Sequence, residues 1–257
     1  MKQDYLKRKR YPTDLTDSQW SQIEPLFAGM REYKYSKREL LNAVLYVVDS
    51  GCKWRQLPHD FPAWQTVYSF FRRAIESGLW DKILTHLVEV TRKRAGRNPN
   101  PTYAIIDSQS VKTVYASERI GFDGGKKKGR KRHIVTDVLG NLLAVKVHRA
   151  NLHDTKSGIF PAVSAYLRYP TIEKYCGDKG YRKTFVIQIK SILGLDTDIS
   201  EKIVPQGFEV IPKRWVVERT FAWLNNSRRL SKDFEIKTVI SEAFIIISHF
   251  HTLLKRL

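Results

Sequence analysis

The sequence predicts a mixed α/β fold, in which an all-helical N-terminal region precedes a mixed sheet with helices packed on it. Three observations carry this expectation. Between residues 16 and 94, apolar side chains recur at helical spacing behind Ser and Thr caps. A charged stretch rich in Pro, Gly and Asn, residues 92–101, then interrupts the pattern. Beyond it the order reads strand, strand, strand, helix, strand, helix, strand, helix: an antiparallel start followed by α/β alternation. The resulting division is 1–97 for a helical, helix-turn-helix-like region and 98–257 for the sheet domain.

Composition narrows the class. The 257 residues are 42% hydrophobic and 12% aromatic, which suits a folded core rather than disorder. Lys and Arg number 45 against 26 Asp and Glu, a net charge of +19 that suits phosphate-rich partners. The apolar runs Ala43 to Val48 and Ala243 to Ile247 are too short to span a bilayer, so no membrane partner is expected. The basic first ten residues lack a following apolar segment and do not form a secretory signal, so a cytoplasmic protein is expected. Cys52 and Cys176 form no CxxC pair and read as reduced thiols rather than zinc ligands.

In chain order, Thr16-x-x-Gln19 has the form of a capping box, with Trp20, Ile23 and Phe27 following at helical spacing and Pro25 limiting the helix. Ser36-x-x-Glu39 opens a second helix that stops at Ser50-Gly51. A third is expected over Gln65 to Glu76 and a fourth over Leu79 to Arg94. On the third, Gln65, Arg72 and Arg73 form a polar side suited to a major groove; the alternative is a plain bundle whose polar side faces water.

After the linker, Thr102 to Asp107 reads as a short strand ending in Asp. The segment Gly121 to Arg132 reads as a basic loop whose Lys126, Lys127, Lys128 and Arg130 either guide a phosphate backbone or keep the loop solvated. His133 to Val138 and Leu142 to His148 form a hairpin through Gly140-Asn141. A helix follows the cap candidates Asp154 and Thr155, and a second Asp-terminated strand covers Ile172 to Asp178. Thr184 to Leu193 is helical, Asp196 and Asp198 lie in a polar loop, and 202–204 or 208–211 supply another strand. Two helices end the chain, one around Glu218 and an apolar one from Val239 to Leu254.

Asp107 and Asp178 are the chemically informative pair. If their strands are neighbours, two carboxylates lie side by side, and such a pair resists joint ionisation unless cations intervene. Hard divalent cations, two Mg²⁺ or Mn²⁺ ions, meet that need through oxygen ligands. Two metals about 3.5–4 Å apart serve phosphodiester displacement. Glu218 lies on one polar helix face with Arg214 and Asn225, opposite Val216, Thr220, Trp223 and Leu224, and would complete the site. Arg214 would orient Glu218 or meet a phosphate, and Lys179 and Arg182 stand close to Asp178 for backbone contacts. Asp137, Asp154, Asp196 and Asp198 read as structural, and His133 as a strand residue.

The blocks Ala104-Ile-Ile-Asp107-Ser-Gln-Ser-Val-Lys112, Gly177-Asp178-Lys-Gly-Tyr-Arg182 and Arg214-Trp-Val-Val-Glu218-Arg-Thr-Phe-Ala-Trp-Leu224 resemble the signatures of DDE transposases of bacterial insertion sequences, in the group named after insertion sequence five. Further similar blocks extend over nearly the whole chain, from Tyr11 to Phe234. The resemblance implies an RNase H-like catalytic domain with Asp107, Asp178 and Glu218 as its metal-binding triad. It implies an enzyme that binds terminal inverted repeats, cleaves DNA ends and transfers them to target DNA as a homodimer or larger assembly. The related Tyr-(2)-Arg-(3)-Glu-(6)-Lys signature is met at Arg214 and Glu218, while Ile211 and Asn225 stand at its Tyr and Lys positions. A non-catalytic DNA-binding derivative of such an enzyme is the alternative.

Overall fold

The computed structural model describes residues 8–126, 128–199 and 215–257. Helix α1 (Asp17–Ile23) begins at a reciprocal capping box between Thr16 and Gln19, and Pro25 turns the chain into a 3₁₀ segment, Glu24–Phe27. Helix α2 (Lys37–Ser50) starts where Ser36 Oγ accepts from the Glu39 amide at 3.2 Å. It ends at Gly51, whose φ of 71° a side chain would oppose. Eight of its residues are buried, which makes it the central helix of the region. Helices α3 (Trp64–Glu76) and α4 (Leu79–Arg94) follow, joined through Gly78 at φ 68°.

The sheet contains β1 (Tyr103–Lys112), β2 (Gly121–Phe122), β3 (Lys128–Thr136), β4 (Leu142–Arg149), β5 (Lys174–Gly177) and β6 (Asp196–Ile199). β3 lies antiparallel to β1, β2 and β4, while β5 and β6 extend the sheet from β1 in parallel. Helices α5 (Asp154–Ser157) and α6 (Ile159–Arg168) connect β4 to β5. Helix α7 (Thr184–Gln188) passes into a π turn, Ile189–Leu193, before β6. Helix α8 (Trp215–Asn225) packs on β1 and β3, and α9 (Thr238–Leu254) packs on α2, α4 and β4.

The apolar core is continuous from Leu15 to Leu254 and crosses the linker between helices and sheet. Phe244 of α9 stacks on Phe71 of α3 at 5.0 Å and on Trp54 at 6.1 Å, and Phe250 stacks on Trp80 of α4 at 6.1 Å. Among the described residues no helix is long and apolar enough to cross a membrane.

Three expectations about elements need correction. Asp107 does not end its strand, because β1 stays paired with β3 as far as Lys112↔Gly129. The basic segment before His133 is not a loop throughout: Lys128 to Arg132 belong to β3, and Arg130 is fully buried. Asp196 and Asp198 lie in β6 rather than a polar loop. The strand expected at 202–204 or 208–211, together with Lys127, Ile211 and Arg214, lies outside the described residues.

Candidate active site

Parallel pairing of β1 with β5 sets the first geometric fact. Its register is Tyr103↔Lys174, Ala104↔Tyr175, Ile105↔Cys176, and the same register continued by two residues would bring Asp107 level with Asp178. Asp107 lies within its strand and Asp178 one residue beyond β5, so their juxtaposition is an extension of the paired register past its last partners, Ile105 and Cys176. Asp178 follows β5 immediately and caps the next turn, where its Oδ1 accepts from the Gly180 amide at 2.7 Å. Asp107 Oδ1 accepts from the Ser108 amide at 2.8 Å. Both are half-buried, so each keeps an aspect open to solvent.

Glu218 is exposed on α8, the helix packed along β1, and Asn225 is exposed with it. Val216, Val217, Thr220, Phe221 and Leu224 form the buried side, as the helical spacing requires. Among the described residues no three His, Cys, Asp or Glu side chains converge closely enough to hold a metal ion. Asp107 and Asp178 lie at the adjoining strands β1 and β5, and Glu218 is carried on the helix packed on β1 without closing a group of three. The donor set is all carboxylate oxygen, which fits a hard divalent cation in kind.

Beneath the Asp pair lies a polar network. Tyr181, three residues past Asp178, is buried and packs against Gly177 and Gly158, where a Cβ would approach its ring to 2.9 Å. Burial, followed by the charges of Asp107, Asp154 and Asp178, pushes its phenol well above the ordinary range, a sign that negative charge gathers here. The hydrogen bonds have one consistent direction. His148 Nδ1 faces the Arg149 carbonyl at 3.0 Å and must carry the proton, so His148 Nε2 accepts from His133 Nδ1 at 3.1 Å. His133 Nε2 then accepts the Tyr181 hydroxyl at 2.7 Å. Burial lowers both imidazoles below their usual range, His133 further through its His148 neighbour, which keeps the pair neutral.

Asp154, read from sequence as a helix-start residue, occupies the first position of α5, where His153 is the N-cap. Its Oδ1 accepts from Ser108 Oγ at 2.6 Å and from Lys131 Nζ at 2.8 Å. Burial disfavours its charge, but those two hydrogen bonds and the Lys131 charge together hold its carboxyl below the usual range. Tyr181 and His148 were not anticipated as site residues. The three-residue spacing of Tyr181 from Asp178 is a signal that sequence offers; nothing comparable marks His148.

The basic residues divide. Lys126, Lys128, Lys179 and Arg182 are exposed. Arg130 is not available to DNA: Nη1 donates to Asp233 at 3.1 Å and Glu235 O at 2.9 Å, while Nε and Nη2 reach Glu118 O and Ile236 O. All five donors are used inside the fold. On α3, Gln65 and Arg73 are exposed and line, with Thr66, Ser69, Arg31 and Lys34, a cleft of about 340 Å³. Arg72 stands beside it and pairs with Glu76 at 3.4 Å.

The chain is similar to known proteins over most of its length. Residues 15–84 match a family described as "Putative transposase of IS4/5 family", and residues 99–253 match "Transposase DDE domain". The "Putative transposase for insertion sequence element IS402" of Burkholderia cepacia is 32% identical over 127 residues, covering 46% of this chain and 60% of that relative. An uncharacterized 16.2 kDa protein of insertion element IS402 from the same organism is 26% identical over 117 residues, 42% of this chain and 78% of its own length. Uncharacterized protein y4sN of Sinorhizobium fredii is 29% identical over 102 residues, 38% of this chain and 75% of its own length. The matched DDE domain and the mixed sheet accord with the RNase H-like class expected from sequence.

Proposed function

Because this chain belongs to the DDE transposase family through a domain spanning residues 99–253, we propose that it cleaves the ends of its own insertion element and joins them to target DNA. The observation that supports the reading is the parallel register of β1 and β5, which, continued two residues past Ile105↔Cys176, would bring Asp107 level with Asp178. Glu218 on α8 is the third carboxylate. Asp107, Asp178 and Glu218 would hold two Mg²⁺ or Mn²⁺ ions, which when bound supply the positive charge needed at both the attacking and leaving oxygens of an in-line displacement.

The remaining work falls to side chains that bind and orient. Exposed Lys179 and Arg182 flank Asp178 and suit the phosphates of the DNA entering beside it. Exposed Lys126 and Lys128, at the β2–β3 connection, are assigned to that basic surface, and Lys127, between them in sequence, is assigned the same role. Arg214 precedes α8 and is assigned to a phosphate or to Glu218 itself. The region 1–97 is the reader of the terminal inverted repeats, with Gln65 and Arg73 in the α3 cleft and Arg72 at its side. Two ends must meet for joining, so the working form is a homodimer or larger assembly on DNA in the cytoplasm.

The test is Mg²⁺-dependent cleavage of a duplex carrying the element's ends. Wild type is expected to cleave and then join, and Asp107→Asn, Asp178→Asn and Glu218→Gln are each expected to abolish both steps while still binding the duplex. Full-rate cleavage by all three variants would overturn the site assignment. Binding without any cleavage by wild type would leave a DNA-binding protein only.

A further inference from the structure

Helix α8 is seated against the turn between β3 and β4, and that turn is shaped by a buried ion pair reaching back into the helical region. Asp137 is fully buried at the start of the turn. Its Oδ1 accepts from the amides of Leu139 at 2.8 Å and Asn141 at 2.9 Å, and its Oδ2 accepts from Asn141 Nδ2 at 3.0 Å. Arg92 of α4, also buried, donates to that Oδ2 at 2.6 Å and through Nε to the Asn98 carbonyl at 2.7 Å. One carboxylate therefore fixes the turn's backbone and ties it to α4.

The turn's two outward carbonyls meet α8 directly after Glu218. Arg219 Nη2 donates to Leu139 O at 2.9 Å, and Thr220 Oγ1 lies 2.9 Å from Gly140 O. Gly140 adopts φ 81°, and a Cβ there would come within 3.0–3.2 Å of Thr220, Arg219 and Trp223, so only glycine seats the helix this closely. Arg219 is held from the sides as well, between the rings of Trp215 at 4.4 Å and Trp223 at 4.5 Å, and Arg256 covers the Trp223 ring at 3.6 Å. These contacts restrain α8 in rotation about its axis, and that rotation decides where Glu218 points.

We propose that Arg92 and Asp137 are positioning residues for Glu218, acting through the Leu139 and Gly140 carbonyls on Arg219 and Thr220. The inference rests on Glu218 being a metal-binding residue. On this view α4, in the region assigned to DNA-end reading, forms part of the mounting of the third carboxylate, and displacement of α4 shifts the geometry at the acid site.

The experiment uses the full chain and three variants. Thr220→Val removes the hydroxyl at nearly constant shape, Arg92→Lys keeps the charge but loses the planar fork, and Gly140→Ala pushes on the helix. Each is measured for single-turnover cleavage of end DNA, for Mn²⁺ affinity by electron paramagnetic resonance, for end-DNA affinity and for thermal midpoint. Misplacement of a reacting group by about 1 Å costs on the order of 10²-fold. The expected result for Thr220→Val and Arg92→Lys is cleavage slowed tenfold or more and Mn²⁺ binding weakened severalfold, with end-DNA affinity unchanged. A merely structural role would lower the thermal midpoint and leave Mn²⁺ affinity and cleavage per folded molecule at wild-type values, which overturns the proposal, provided Glu218→Gln has lost both. Wild-type cleavage and Mn²⁺ binding by Glu218→Gln would instead remove the metal role of Glu218, and the inference with it.

Discussion

The Tyr181 hydroxyl donates to Nε2 of His133 at 2.7 Å, and this bond ties the turn that follows Asp178 to the middle of β3. Tyr181→Phe keeps the ring that packs on Gly177 and Gly158 and removes that tie together with the hydroxyl's hydrogen bond to Ser108. The His133 acceptor is then buried without a donor, at a stability cost of about 1–3 kcal/mol. Cleavage is expected to fall roughly tenfold through loss of placement at Asp178, with DNA affinity unchanged. Single-turnover kinetics beside a binding titration checks this, and equal rates for the two proteins would remove Tyr181 from the site's support.

Acid sensitivity follows from buried imidazoles. Burial pushes His249 and His251 of α9 down to about 3. The unfolded imidazole sits near 6.5, so between those values the unfolded chain binds protons that the native chain does not. Stability from these groups is complete above about pH 6.5 and is lost as pH falls toward 3, by roughly 1.4 kcal/mol per pH unit for each histidine. His249 Nε2 accepts the Leu142 amide at 2.9 Å, which requires the neutral ring. Urea denaturation between pH 7 and 4 should show the midpoint dropping; a flat profile would contradict the buried, neutral state.

Arg130 is a structural residue. Its removal strands Asp233, which is 2% exposed and otherwise held by Ser241 and the Glu235 amide. Arg130→Met is expected to destabilise the fold by about 3–5 kcal/mol, the usual consequence of breaking a buried pair. Lys128→Met, two residues away on an exposed position, is expected to leave the thermal midpoint within a degree or two. Calorimetry on the two variants compares them directly.

End recognition is expected to separate by residue. Gln65→Ala and Arg73→Ala, in the α3 cleft, should each weaken binding to the element's ends by about 1–3 kcal/mol and narrow the gap between end and random DNA. Lys179→Ala should weaken both DNAs alike and reduce the salt dependence by roughly one counterion. Fluorescence anisotropy on the two DNAs over a salt series distinguishes them, and equal losses on both DNAs for Gln65→Ala would argue that the cleft does not read bases.

Much of the helical half was legible because its signals are local. Ser36 and Gly51 delimit α2 as expected, and α4 occupies the range its spacing implies, Leu79–Arg94. The strands that carry or precede Asp107 and Asp178 were legible as two β-rich runs, yet β1 continues through Ser108 to Lys112, a polar stretch whose strand state comes from pairing with β3. Arg130 misled for the same reason. In a run of Gly, Lys and Arg it reads as solvated, while the acceptors that bury it are the Glu118 carbonyl 12 positions earlier and groups 103 to 106 positions later. β6 is short and polar, and only its pairing beside β5 makes it a strand. The turn at Asp137 was read as structural and is, but no local pattern indicates that its partner is Arg92, 45 residues earlier.

The core shared between α9 and the first helices also bears on how the chain is made. Helices α1 to α4 leave the ribosome early, and the aromatic rings that cover Trp54, Phe71 and Trp80 arrive only with Phe244 and Phe250. The early helices therefore remain incompletely buried until all six described strands have been synthesised, a long-range closure that slows folding and lengthens the interval in which apolar surface is open to aggregation or to a chaperone.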